Sequence, residues 1–172
     1  MRPSDAAWQQ LISALHASGR KAALAITGGG SGAIGELLRV PGGSRLLIEA
    51  QVPYDAAALA TFLGFAPVQA CSADTAIAMA SSVRARAARL VPADTDLVGL
   101  GATAALVSDR PRKGEHRFHI AFANSARVAH CTGLLAKGRR DRAAEEDIVS
   151  YAIVLWLAHA CGIAAPSPRS LL

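Results

Sequence analysis

The chain has 172 residues, of which 52% are hydrophobic and 18% charged, and it carries a formal net charge of +5. That length suits one domain with a core of its own, and the apolar fraction excludes an intrinsically disordered chain. No apolar run approaches the ~20 residues a membrane-spanning helix requires. Asp5, Gln9 and Gln10 interrupt the N-terminus where a secretory leader would be continuously apolar, so the expected location is the cytoplasm.

Taken in chain order, Trp8, Leu11, Ile12 and Leu15 recur at helical spacing and predict an amphipathic helix over roughly 4–18. Lys21 to Thr27 reads as a buried strand ended by glycines. Ser31 is expected to cap the next helix through its hydroxyl, with Ile34, Leu37 and Leu38 turned inward, until Val40-Pro41-Gly42-Gly43 stops it. A second strand is predicted over 46–52, and helices over 55–64 and 73–91, the latter opened by Ser72 and Asp74. Further strands are expected at 97–103, 117–122 and 127–132, the last able to pair with its predecessor. The final helix, 141–161, turns Ile148, Ala152, Leu155, Trp156 and Ala160 inward. It is apolar around so much of its circumference that it must be covered on more than one side. Alternating strands and helices make this an α/β layered domain with a mixed sheet: an N-terminal helix (1–19), a core (20–162) and a tail (163–172).

Cys71, Cys131 and Cys161 are odd in number, widely spaced and without metal-binding spacing, which reads as three buried thiols. His116 and His119 lie three apart in an expected strand and so face opposite sides of the sheet, which excludes an easy shared metal site. Neither a metal nor a cofactor is expected. The basic residues cluster in three places: Arg84, Arg86 and Arg89; Arg110, Arg112, Lys113 and Arg117; and Lys137, Arg139, Arg140 and Arg142. Aromatic residues are not interleaved with them, which argues against nucleic acid as a partner. Arginine forks do match phosphate, so a small phosphorylated ligand is the sharper reading beside plain solvated faces. Asp141, Glu145, Glu146 and Asp147 place negative charge at the start of the last helix, as its dipole favours.

Gly30, Gly32 and Gly35 spell G-x-G-x-x-G after the first strand, and Glu49 follows 19 residues after Gly30, near where a ribose-binding carboxylate would stand. A glycine loop between strand and helix presents bare backbone N–H groups to phosphate. Gly28, Gly29, Gly30, Ser31 and Gly32, joined by Arg139 and Arg142, are the expected phosphate-binding residues, and at least one glycine should have positive φ. The first helix is too short, and the strand-helix units too few, for a full dinucleotide fold.

The stretches ITGGGSGAIGELLRVPGGS, VPYDAAALATFLGF and CSADTAIAMASSVR resemble the C-terminal domain of the CinA family, which includes nicotinamide-nucleotide amidohydrolases. The resemblance spans about residues 20–160 and implies a three-layer α/β/α fold, homo-oligomers, and hydrolysis of the amide of nicotinamide mononucleotide. Aligned on the V-P-G turn, Thr27 falls at the family's nucleophilic serine, Ile26 at its glutamate and Gly28 at its cysteine. The family tyrosine is Tyr54, and the lysine that would activate the nucleophile falls at Leu59. A hydroxyl nucleophile needs a base, and leucine accepts no proton. Three readings stand: a CinA-like domain that binds a phosphorylated ligand without the usual amidohydrolase chemistry; an amidohydrolase using Thr27 or Ser31 with a base from elsewhere; and an α/β protein whose loop takes a dinucleotide.

Overall fold

The computed structural model describes residues 5–111 and 113–172; Arg112 of the second basic cluster lies outside the described residues. Twelve residues, Asp5–His16, form α1; Lys21–Thr27 form β1, Gly32–Arg39 α2, Leu47–Gln51 β2, Ala56–Leu63 α3 and Ala73–Ala87 α4. The remaining elements are β3 (Leu97–Ala105), β4 (His116–Ala123), β5 (Val128–Leu135) and α5 (Arg142–Ala160), with short 3-10 turns at Gly43–Arg45 and Pro168–Leu171.

The strands form one sheet in the order β2-β1-β3-β4-β5. β2 and β3 run parallel to β1, whereas β4 and β5 are antiparallel to their neighbours. Alternation along β1 divides the core between two layers. Ala22, Leu24 and Ile26 face α1, α2 and α5 in a cluster that also holds Trp8, Leu37, Phe118, Phe122 and Ile153. Ala23 and Ala25 face α3 and α4, against Leu59, Met79 and Val83. The molecule is therefore a three-layer α/β/α domain with a mixed sheet.

The circumference of α5 is filled from within the chain. Val149, Ile153, Val154, Leu155 and Leu157 are all fully buried, because the sheet, α1, α2 and the C-terminal tail surround the helix. Its largely apolar pattern thus reflects a sandwiched position.

Four local expectations are corrected. Leu38 is 55% exposed, since Ala33 and Leu37 alone make the fully buried face of α2. α4 ends at Ala87 instead of 91, where the chain tightens into turns closed by Arg89 N–H to the Arg86 carbonyl and Leu90 N–H to the Ala87 carbonyl. β5 runs on to Leu135, with alternating exposure along the sheet edge. Only Cys161 is fully buried; Cys71 and Cys131 are half-buried.

Candidate functional site

Parallel strands aim their C-terminal ends at one edge of the sheet, and here β1 and β3 end side by side, with Thr27 the register partner of Thr103. A chain leaving adjacent parallel strands in different directions opens a crevice at that edge. Two adjoining cavities occupy it, of about 490 and 480 Å3. They share Thr27, Gly28, Tyr54 and Arg142.

Thr27 is only 5% exposed. Its hydroxyl has no hydrogen-bond partner among the described residues, whereas the neighbouring Thr103 Oγ1 donates to the Ala70 carbonyl at 2.8 Å. Gly28 follows with φ +75°, and a side chain there would strike the Ala104 carbonyl. The backbone can turn off β1 in this way only at glycine. The turn offers the Gly28 carbonyl to Arg142 Nη2 at 3.0 Å, while Arg142 Nη1 donates to the Val107 carbonyl at 3.1 Å. The Tyr54 hydroxyl lies 3.5 Å from Arg142 Nη2, and the ring is 62% exposed at the cavity mouth.

The larger wall of the first cavity joins Gln69, Cys71, Lys113, Glu115 and Arg117 to these residues. The segment before α4 is locked to β4 there: Cys71 Sγ reaches the Arg117 carbonyl at 3.8 Å, and Arg117 Nη2 donates to the Cys71 carbonyl at 3.4 Å. Lys113 and Arg117 belong to one basic cluster and Arg142 to another, well separated from it in sequence. The fold brings them to one cavity, whereas Arg139 is exposed and lines neither cavity.

The glycine loop itself behaves differently from a free phosphate cradle. Gly30 has φ +93°, and Ile153 and Val149 of α5 stand where its side chain would be. Gly32 packs on Ser150, and Gly29 on Leu106. The Gly30 N–H donates to Glu146 Oε1 at 2.7 Å, and Ser31 Oγ donates to the same oxygen at 3.2 Å. Ser31 therefore does not cap α2 through its side chain: its backbone is already helical (φ −62°, ψ −22°), and its hydroxyl points to α5. Arg142 Nη2 lies 3.6 Å from the other oxygen of Glu146. A carboxylate of the protein's own thus occupies the anion position of the loop. Positive φ, expected for at least one glycine, is found at Gly28 and Gly30.

Leu59 lines neither cavity. It is 3% exposed and packs into the α3/α4 layer with Ala23, Ala25 and Met79. That packing turns it into the core and not toward the Thr27 loop, where the resemblance would require a lysine to act as base. Glu49, the would-be ribose carboxylate, is held by Arg86 Nε at 2.7 Å. His116 and His119 do face opposite sides: His116 Nδ1 contacts Glu145 Oε1 on the α5 side, and His119 Nδ1 contacts Thr132 Oγ1 on the other.

The largest cavity described, about 920 Å3, lies elsewhere, between β2, α3 and α4, lined by Val52, Thr61, Phe62, Arg86 and Arg89 among others. The site is better placed at the strand ends, where the Thr27 hydroxyl, without a hydrogen-bond partner among the described residues, and three cationic side chains line adjoining cavities at the switch between parallel strands. Thr103, Gln69 and Cys71 gave no signal in the sequence, because nothing local to them announces chemistry. Glu146 was legible only as a dipole-matching charge; its contact with Gly30 spans 116 positions.

Solved structures share this fold. Over 90% of this chain and 96% of its own, a competence or damage-inducible protein from Enterobacter asburiae superposes with TM-score 0.70 at 18% identity. The fold is that of the CinA superfamily. A competence/damage inducible protein from Agrobacterium tumefaciens matches at TM-score 0.70 and 17% identity, over 94% of this chain and 98% of that one. A CinA superfamily protein from Escherichia coli matches at 0.67 and 18%, over 93% and 92%. No protein-family model and no curated protein sequence matches the chain. The CinA fold is thus carried by a sequence that is no more than 18% identical to any of these structures.

Proposed function

We propose that this CinA-fold domain binds a small phosphorylated ligand at the C-terminal ends of β1 and β3, without the lysine-assisted amidohydrolase chemistry that the family resemblance implies. The observation that carries this reading is the convergence of Arg142, Lys113 and Arg117 on the cavity that holds the unpartnered Thr27 hydroxyl. Arg142 is directed by two neutral carbonyls, and the Glu146 carboxylate at 3.6 Å offsets part of its charge, so Lys113 and Arg117 supply the remaining positive charge for an anion. Thr27 supplies a short-range donor, and Tyr54 a flat polar edge at the mouth. The glycine loop supports this site through its shape and holds Glu146. It is not the primary phosphate cradle.

Titration with nicotinamide mononucleotide, ribose 5-phosphate and inorganic phosphate, read by calorimetry and in parallel by ammonia release, tests the proposal. The expected result is binding of a phosphorylated compound that Arg142→Ala weakens, with no ammonia from the mononucleotide. Absence of binding by all three, or turnover of the mononucleotide, overturns it.

A second reading, hydrolysis of an amide, has one contact in its favour: Ser31 Oγ donates to a carboxylate beside the second cavity. That oxygen of Glu146 is simultaneously engaged by the Gly30 N–H. Ammonia release abolished by Ser31→Ala would establish this alternative.

A further inference from the structure

Glu145 is fully buried, next in sequence to the residue that fills the glycine loop, and it lines neither cavity. A buried carboxylate is costly unless each oxygen is engaged. Here Oε2 accepts the Val107 N–H at 2.8 Å, and Oε1 contacts His116 Nδ1 at 2.8 Å. The identity of those partners gives the arrangement its meaning. Val107 lies just past the end of β3, and His116 is the first residue of β4. One side chain of α5 therefore holds both stems of the connection between β3 and β4. That connection carries Lys113, Gly114 and Glu115 into the cavity wall.

The backbone of Val107 is used a second time, since its carbonyl accepts from Arg142 Nη1 at 3.1 Å. Lys137 Nζ adds a bond to the Lys113 carbonyl at 3.2 Å. We propose that Glu145 is a positioning residue: by fixing Val107 and His116 it sets where the β3–β4 connection and the Arg142 guanidinium stand, and so builds the anion site without touching its ligand. The ligand half of this inference rests on the reading proposed above; the half concerning the connection does not.

The full-length protein is compared with Glu145→Ala and Glu145→Gln. Glutamine keeps an acceptor for the Val107 N–H and a polar group for the His116 ring; alanine keeps neither. The first measurement is tryptic cleavage at Lys113–Gly114 under native conditions, followed by mass spectrometry with other lysine and arginine bonds as internal controls. Glu145→Ala is expected to accelerate that one bond by about tenfold or more, because local opening governs cleavage, with glutamine within about twofold of the native rate. An unchanged rate in Glu145→Ala overturns the proposal. So does a parallel acceleration at every bond, which would mark a contribution to global stability only. The second measurement is ribose 5-phosphate affinity, expected to fall in Glu145→Ala and to be restored by glutamine. If the native protein binds no phosphorylated compound, the reading of function fails while the cleavage measurement still decides the role of Glu145.

Discussion

The Glu146 carboxylate and the Gly30 N–H are 2.7 Å apart, and this contact makes α5 the lid on the loop that the sequence assigns to a phosphate. Removing the side chain should free the N–H for an external anion. Glu146→Ala is expected to lose about 1.5–3 kcal/mol of stability, the value of a hydrogen bond to a charged group. It should also gain more thermal protection from inorganic phosphate than the native protein does. Equal protection of the two by phosphate, in a melting series, would show that the loop offers no anion site even when vacated.

Gly28 makes the turn that presents a carbonyl to Arg142. Gly28→Ala puts a side chain at φ +75° and drives its Cβ against the Ala104 carbonyl. A destabilisation of about 2–4 kcal/mol is expected from the strained backbone and the clash together, measurable by denaturant titration. Gly35, with open space around it, should accept alanine without loss.

Restoring the family's lysine at position 59 should not restore chemistry. Leu59 lies among Ala23, Ala25, Met79 and Val83, and a lysine there buries an ammonium with no partner. Leu59→Lys is expected to cost about 3 kcal/mol or more, read by thermal unfolding. Combined with Thr27→Ser it should release no ammonia from nicotinamide mononucleotide. A stable, active double variant would show that helix α3 can turn that position toward the cavity.

Burial pushes the Cys131 thiol up to about 12 and the Cys161 thiol up to about 11, with Arg169 and Arg20 respectively opposing the shift. Both values exceed the ordinary value of 9.0, so the folded state retains protons that the unfolded state gives up. The stability these thiols contribute is complete below pH 9 and is lost as pH rises toward 11–12. The melting temperature should fall across that window, and less steeply in Cys131→Ala. Iodoacetamide at neutral pH should label both residues far more slowly than a free thiol.

His119 shifts the opposite way. Burial, then the charges of Arg117 and His130, hold its pKa below 6.5. The unfolded chain therefore binds this proton at a higher pH than the folded one, so the contribution is present above pH 6.5 and is lost as pH falls through the folded value. His119→Gln, retaining the contact with Thr132, should flatten the acid limb of the stability profile. An unchanged limb would assign the acid sensitivity to other groups.

The strands and helices were legible because each is encoded by neighbours in the chain. Between Lys21 and Thr27 the run AALAI is unbroken apolar and marks β1, and the spacing of Trp8, Ile12 and Leu15 marks α1. The glycine turn was equally local, since only backbone freedom at Gly28 and Gly30 allows the chain to leave β1 as it does. What occupies that turn was not legible. The G-x-G-x-x-G spacing is the same whether the N–H groups meet a phosphate or Glu146, and only the packing of α5 against α2 decides between them. The resemblance sets Leu59 where a lysine would act on Thr27. Tertiary packing put it in the core, because an aliphatic side chain on α3 gains more from Ala23, Ala25 and Met79 than from a wet cavity. Arg142 likewise reads as part of a different charged stretch from Lys113 and Arg117, and only the sheet order brings the two stretches to the ends of β1 and β3. Periodicity is a property of adjacent residues and is written in the chain; the meeting of a carboxylate with an N–H 116 positions away is a property of the folded layers alone.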